Sequence, residues 1–171
     1  GLKMSPGLPD PVLKDFDFDF RGKSFAQFFR LLEIKSPIPP DKIGPFRLTA
    51  KLNGKPSSLK VIANLKALRG TFKLAGETKP FDTIPSITGR LKIVHPDYHA
   101  LLRSFNVSYR PSTGKTGSVN LSARLSVSTG TVALNQFTGT LAGLKLRGKL
   151  KAKFDRPRPF ISADIASSNI N

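Results

Sequence analysis

Gly44-Pro-Phe-Arg-Leu-Thr-Ala-Lys-Leu52 alternates apolar and polar residues, and Gly117-Ser-Val-Asn-Leu-Ser-Ala-Arg-Leu125 repeats the alternation at an offset of 117 − 44 = 73. Such alternation marks a strand with one buried face, because successive side chains on a strand point to opposite sides. The segments ahead of them match at the same distance. Ser24-Phe-Ala-Gln-Phe-Phe-Arg-Leu-Leu32 pairs with Asp97-Tyr-His-Ala-Leu-Leu-Arg-Ser-Phe105, where 97 − 24 = 73. A third pair, Leu65 to Gly76 and Phe137 to Gly148, lies at 137 − 65 = 72, which reads as one residue lost between strands. A unit of one helix and several strands that occurs twice stacks and extends a surface rather than enclosing a catalytic centre. Binding or conduction is therefore expected before enzymatic chemistry.

Working outward, residues 1–12 hold Pro6, Pro9 and Pro11 and read as an extended lead-in. Asp15 to Phe20 alternates acid and Phe, a strand pattern, and Ser24 is placed to cap a short helix near 24–34. The prolines of residues 36–45 make a loop. Phe46, Leu48, Ala50 and Leu52 then share one face, as do Leu59, Val61, Ala63 and Leu65, with turns expected at Asn53-Gly54 and Arg69-Gly70. The second unit repeats this: a strand from Ile87 to Ile93, a helix near 97–105 capped by Asp97, then a loop over residues 111–117. Alternating runs follow through Val119–Val127, Val132–Leu134 and Leu144–Phe154. The alternation changes parity between Leu141 and Leu144, so Ala142-Gly143 must be a turn or bulge. Phe160 to Ile165 closes the chain as a strand. The reading is a mainly β fold: an antiparallel meander of about ten strands with two short helices, forming a twisted open groove or partial barrel. Its units run over residues 13–85 and 86–171.

The chain of 171 residues is 39% hydrophobic and carries 28 basic against 11 acidic residues, a net charge of +17. That is enough apolar content to fold, and the charge favours an anionic partner such as a phospholipid surface, a nucleic acid or an acidic protein. With no cysteine, neither a disulfide framework nor thiolate chemistry is available. No run reaches the roughly 18 apolar residues of a membrane-spanning helix. The abrupt start at Gly1 reads as an excised piece of a longer protein.

Catalytic and metal motifs find little support. Gly114-Lys-Thr116 resembles the end of a phosphate loop, but Tyr109 stands where its first glycine belongs. Asp15, Asp17 and Asp19 alternate with Phe and lack the glycine and distal glutamate of a calcium loop. His95 and His99 lie four apart, but Pro96 separates them and the chain has no third histidine, so loop and surface positions are expected. No catalytic residue, metal or cofactor is assigned. The cations Lys145, Arg147, Lys149, Lys151 and Lys153 occupy one face of their strand. They suit either an edge strand that uses lysine to discourage pairing or contact with anionic headgroups. Aromatics share the opposite, apolar face, which argues against stacking on nucleic-acid bases.

The second unit also carries a resemblance. Gly117-Ser-Val-Asn-Leu-Ser-Ala-Arg-Leu-Ser-Val127, Thr131-Val-Ala-Leu-Asn-Gln-Phe-Thr-Gly-Thr-Leu141, Leu144-Lys-Leu-Arg-Gly-Lys-Leu150 and Arg156-Pro-Arg-Pro-Phe-Ile-Ser-Ala-Asp-Ile165 together resemble the repeat region of bacterial AsmA-like proteins. The first unit, Phe20 to Gly76, is similar more loosely and has Glu77-Thr-Lys-Pro80 where the Arg-Pro-Arg-Pro ending would stand. The family is similar to bridge-like lipid transfer proteins. The resemblance implies an inner-membrane anchor, a periplasmic location and a long β-groove that carries phospholipid toward the outer membrane.

On this reading Phe46, Leu48, Leu52, Leu59, Val61, Val119, Leu121, Leu125, Leu134, Leu144, Leu146 and Leu150 line the groove. Phospholipid or fatty acyl chains and an anionic membrane surface are the expected partners. The alternative is a closed β-sandwich, an interaction module whose basic surface docks an acidic partner.

Overall fold

The computed structural model describes residues 12–24, 44–104, 117–154 and 160–168. The lead-in before residue 12, the helix expected at 24–34 beyond its cap, most of the proline loops and the Arg156-Pro-Arg-Pro159 break lie outside the described residues.

The described chain forms nine strands: β1 (Leu13–Gly22), β2 (Phe46–Lys55), β3 (Ser58–Ala67), β4 (Gly70–Lys79), β5 (Ser86–His95), β6 (Val119–Ser128), β7 (Thr131–Leu141), β8 (Leu144–Lys153) and β9 (Phe160–Ser168). One short helix, α1 (Tyr98–Ser104), is present among the described residues. The strands form a single sheet in chain order, every neighbour antiparallel. The sheet is open. Among the described residues it neither closes nor curls, so the expected groove or partial barrel gives way to an open sheet whose edge strands are β1 and β9.

The 73-residue repeat has a direct structural expression. β1 and β5 start 86 − 13 = 73 residues apart, β2 and β6 start 119 − 46 = 73 apart, and β3 and β7 start 131 − 58 = 73 apart. From there the offset is 74, since 144 − 70 = 74 for β4 and β8 and 160 − 86 = 74 for β5 and β9. A bulge in β7 supplies the extra residue: register shifts between Leu134 and Phe137, and Gln136 takes a φ of 50° there. One residue is gained rather than lost. The offset of 72 read from the sequence is a slip of two, which preserves every face because the strand period is two.

Turn chemistry fixes the hairpins. Leu68 and Arg69 (φ 54° and 65°) join β3 to β4, and Ala142 and Gly143 (φ 50° and 85°) join β7 to β8. Two consecutive positive φ values are the mirror-image turn that matches strand twist. The turn expected at Asn53-Gly54 lies three residues later, at Pro56-Ser57, because β2 runs to Lys55, which pairs with Ser58.

A packing cluster joins Phe46 and Ala67, with Phe20, Leu48, Leu65 and Leu68 against them. The Phe20 and Phe46 rings lie 5.7 Å apart, and Gly22 opposite Phe46 leaves the space this ring fills. Ahead of α1, Asp97 accepts hydrogen bonds at Oδ1 from the His99 and Ala100 amides, at 2.9 and 3.1 Å. This is an N-cap.

His95 departs from expectation. It is 1% exposed at the end of β5, not a surface histidine. Its Nε2 lies 2.6 Å from the Leu68 carbonyl, and its Nδ1 accepts the Asp97 amide at 3.0 Å. A carbonyl can only accept and an amide N–H can only donate, so Nε2 carries the proton and the tautomer is fixed. One side chain thereby ties the β3–β4 turn to the start of α1.

Candidate functional site

Partners directly opposite on adjacent strands share a face, so register assigns each side chain to a side. Leu48 faces Leu65 and Leu52 faces Val61, while Leu59 faces Gly54. Leu121 faces Ile93, and Leu125 faces both Gly89 and Leu134. Leu134 also faces Leu150, Leu146 faces Gly139, and Leu144 faces Leu141. All twelve expected lining residues therefore lie on one face of one sheet. They fall into two groups, on β2–β3 and on β6–β8. The bridge between them runs through Leu74 opposite Leu91 and Phe72 opposite Ile93, residues the sequence reading left out of the site. The signal for them was present, since β4 and β5 have the same alternation as their neighbours.

Exposure varies across this face. Phe46, Leu59 and Val119 are buried, whereas Leu144 is 43% exposed. The remainder are half-buried. On β9 the same face continues with Ile161 and Ile165, 63% and 53% exposed. Gly76 and Gly89 face each other in mid-sheet and interrupt the apolar surface. A methyl group at Gly76 would run into the Thr88 carbonyl oxygen.

The other face is polar and organised by charge. On β1, Asp19 holds Arg47 through two parallel bonds, Nε to Oδ1 at 3.1 Å and Nη2 to Oδ2 at 2.7 Å. Lys51 approaches Asp17 at 3.3 Å, and Asn53 donates to Asp15 at 3.2 Å. The acidic row thus meets the polar row of β2. The Arg47 bond holds the Asp19 carboxyl below the usual carboxylate range, with further charge from Arg21. The Ala100 amide does the same for Asp97, assisted by the His99 amide.

Lys145, Arg147, Lys149, Lys151 and Lys153 line this polar face of β8. Lys149 lies 3.9 Å from Asp164 of β9. β8 pairs with β7 on one side and β9 on the other, so an edge-strand role for its lysines is excluded.

Farther toward the middle of the sheet, like charges confront each other. Lys73 of β4 stands opposite Lys92 of β5, and Arg90 of β5 stands opposite Arg124 of β6. These four border a surface depression of ≈ 640 Å³ that crosses from β3 to β7. Three neighbouring depressions along the sheet are also bounded mainly by polar-face side chains. The sequence reading missed this cluster because its members come from three strands, and only register brings them together.

Comparison of the chain with protein-family models, with curated proteins and with solved structures finds no match.

Proposed function

We propose that the apolar face of the sheet is a floor for acyl chains, and that the chain is a non-enzymatic lipid-handling segment of an envelope protein. The observation that carries this reading is one open sheet of nine strands among the described residues, with an apolar face that is interrupted in mid-sheet at Gly76 and Gly89 and is only partly buried. Apolar side chains left in contact with water along a sheet face are what an interaction surface would offer. Each methylene transferred onto it contributes about 0.8 kcal/mol, so a chain of ten or so carbons binds without a specific polar contact. An open floor suits movement along the sheet better than an enclosed pocket, which would hold its ligand. The resemblance to AsmA-like repeats supports phospholipid as the cargo and the periplasm as the location. The cations of β8, on the opposite face, would favour contact with the surface of an anionic membrane.

A second reading has its own support. The depressions bordered by the polar face, together with the net charge of +17, suit an interaction module that docks an acidic partner on one open sheet, not as the closed β-sandwich expected from the sequence. Native mass spectrometry of the purified chain, with lipid extraction from the same sample, separates the two. The lipid reading expects co-purifying phospholipid that is lost in Leu121→Asp while the far-ultraviolet circular dichroism spectrum is retained. A lipid-free protein that also fails to take up a fluorescent fatty acid would leave the interaction module.

A further inference from the structure

We propose that the depression crossing β3 to β7 on the polar face is a binding site for a small anion bearing two or more phosphate groups. The first observation is the arrangement of charge. Lys73 opposite Lys92 and Arg90 opposite Arg124 place like charges on directly paired positions, the geometry that destabilises a sheet. Among the described residues, none of the four makes an ion pair. The acids of this face are engaged elsewhere: Asp17 and Asp19 with β2, Glu77 with the Ser58 hydroxyl at 2.8 Å, and Asp164 beside Lys149. An anion that binds the folded state would offset the repulsion, and its binding would stabilise the fold.

Shape and spacing then select the ligand. The depression, ≈ 640 Å³ and open to solvent, has room for a small molecule lying across the strands. Arg90 and Lys92 are two residues apart on one strand, so the two cation pairs are separated by roughly 7 Å. A ligand with phosphates at that separation reaches both pairs at once, and each arginine can offer a forked pair of donors. Ser122, opposite Lys92, and Asn64, opposite Lys73, add neutral polar groups at the border. The lining holds no aromatic side chain, so bases of a single-stranded nucleic acid would find nothing to stack on. Two sources share this chemistry, a soluble sugar or cyclitol phosphate and the headgroup of a multiply phosphorylated lipid. The site is on the face opposite the acyl floor and stands or falls separately from it.

The test is calorimetric titration with inositol hexakisphosphate and, separately, inorganic phosphate at physiological ionic strength. Wild-type protein is compared with Arg90→Gln/Arg124→Gln and Lys149→Gln/Lys151→Gln. We expect saturable 1:1 binding of the inositol phosphate, at least about tenfold tighter than inorganic phosphate. Arg90→Gln/Arg124→Gln should weaken it about tenfold or more, and the β8 variant by less than about twofold. Without ligand, Arg90→Gln/Arg124→Gln should melt above wild type, because the repulsion is gone and the fold intact. Flotation with vesicles containing a bisphosphorylated inositol lipid identifies the source. Flotation that soluble inositol phosphate competes away assigns the lipid, and binding of the soluble probe alone assigns the free anion. Equal weakening by both double variants, non-saturable binding, or displacement by a single-stranded oligonucleotide at lower concentration would overturn the proposal.

Discussion

His95 is the residue on which three parts of the chain converge. Its ring is buried, donates to the Leu68 carbonyl and accepts the amide of Asp97, the residue that caps α1. Replacing it with alanine leaves a buried carbonyl and a backbone amide without partners, each costing about 1–3 kcal/mol. His95→Ala is therefore expected to lower unfolding stability by roughly 2–4 kcal/mol, read as a lower urea midpoint with an unchanged slope. A change under about 0.5 kcal/mol would show that the two hydrogen bonds contribute nothing net. The sequence pointed elsewhere at this residue. A histidine followed by proline and aspartate looks like a loop, and only the path of the β3–β4 turn reveals that a carbonyl waits for its ring.

At the scale of elements, two carboxylates tie segments together. Asp19 joins β1 to β2 through Arg47, and Asp97 begins α1. Both titrate below the usual carboxylate range, Asp19 chiefly because Arg47 donates to it and Asp97 chiefly because the Ala100 amide does. Below about pH 4 the unfolded chain takes up these protons before the folded chain does. Their contribution is thus present near neutrality and lost as the pH falls through the folded values. Urea denaturation from about pH 6 to pH 3 should show stability falling with acid, and Asp19→Asn/Asp97→Asn should fall less steeply. A double variant as acid-sensitive as wild type would contradict this assignment.

Strands were the most legible elements. Alternation placed β2, β3, β6 and β8 and assigned their faces, since period two is read without knowing any partner. What alternation cannot carry is count along a strand. The bulge at Gln136 was signalled only by the three-residue step from Leu134 to Phe137, and the repeat was misaligned by two without disturbing a single face. Curvature was illegible for the same reason. A partial barrel and an open sheet use the same alternating strands and differ in how far successive strands bend, which residue type barely constrains.

For the whole molecule, the decisive feature is that one sheet carries opposite chemistries on its two sides. The sheet runs without a break from β4 to β5, which pair along their length. The apolar side passes from Phe16 on β1 to Ile165 on β9, and the polar side, acidic on β1 and basic on β8, passes over the same strands. The edges also differ. β1 is blunted by a bulge at Asp15 and by its acids, whereas β9 is exposed throughout and carries Ile161 and Ile165 outward. Both proposed sites depend on this sidedness, and neither requires an enclosed cavity. The most direct test uses neighbouring residues that face opposite ways. A photoreactive amino acid is placed singly at Leu121, Leu125, Ser122 or Ser126, and each protein is irradiated with vesicles of zwitterionic phospholipid, which the basic side does not attract. Lipid adducts at 121 and 125, with none at 122 and 126, are the predicted result. Equal labelling of both sides, or labelling confined to the serine positions, would contradict an acyl floor on the apolar face.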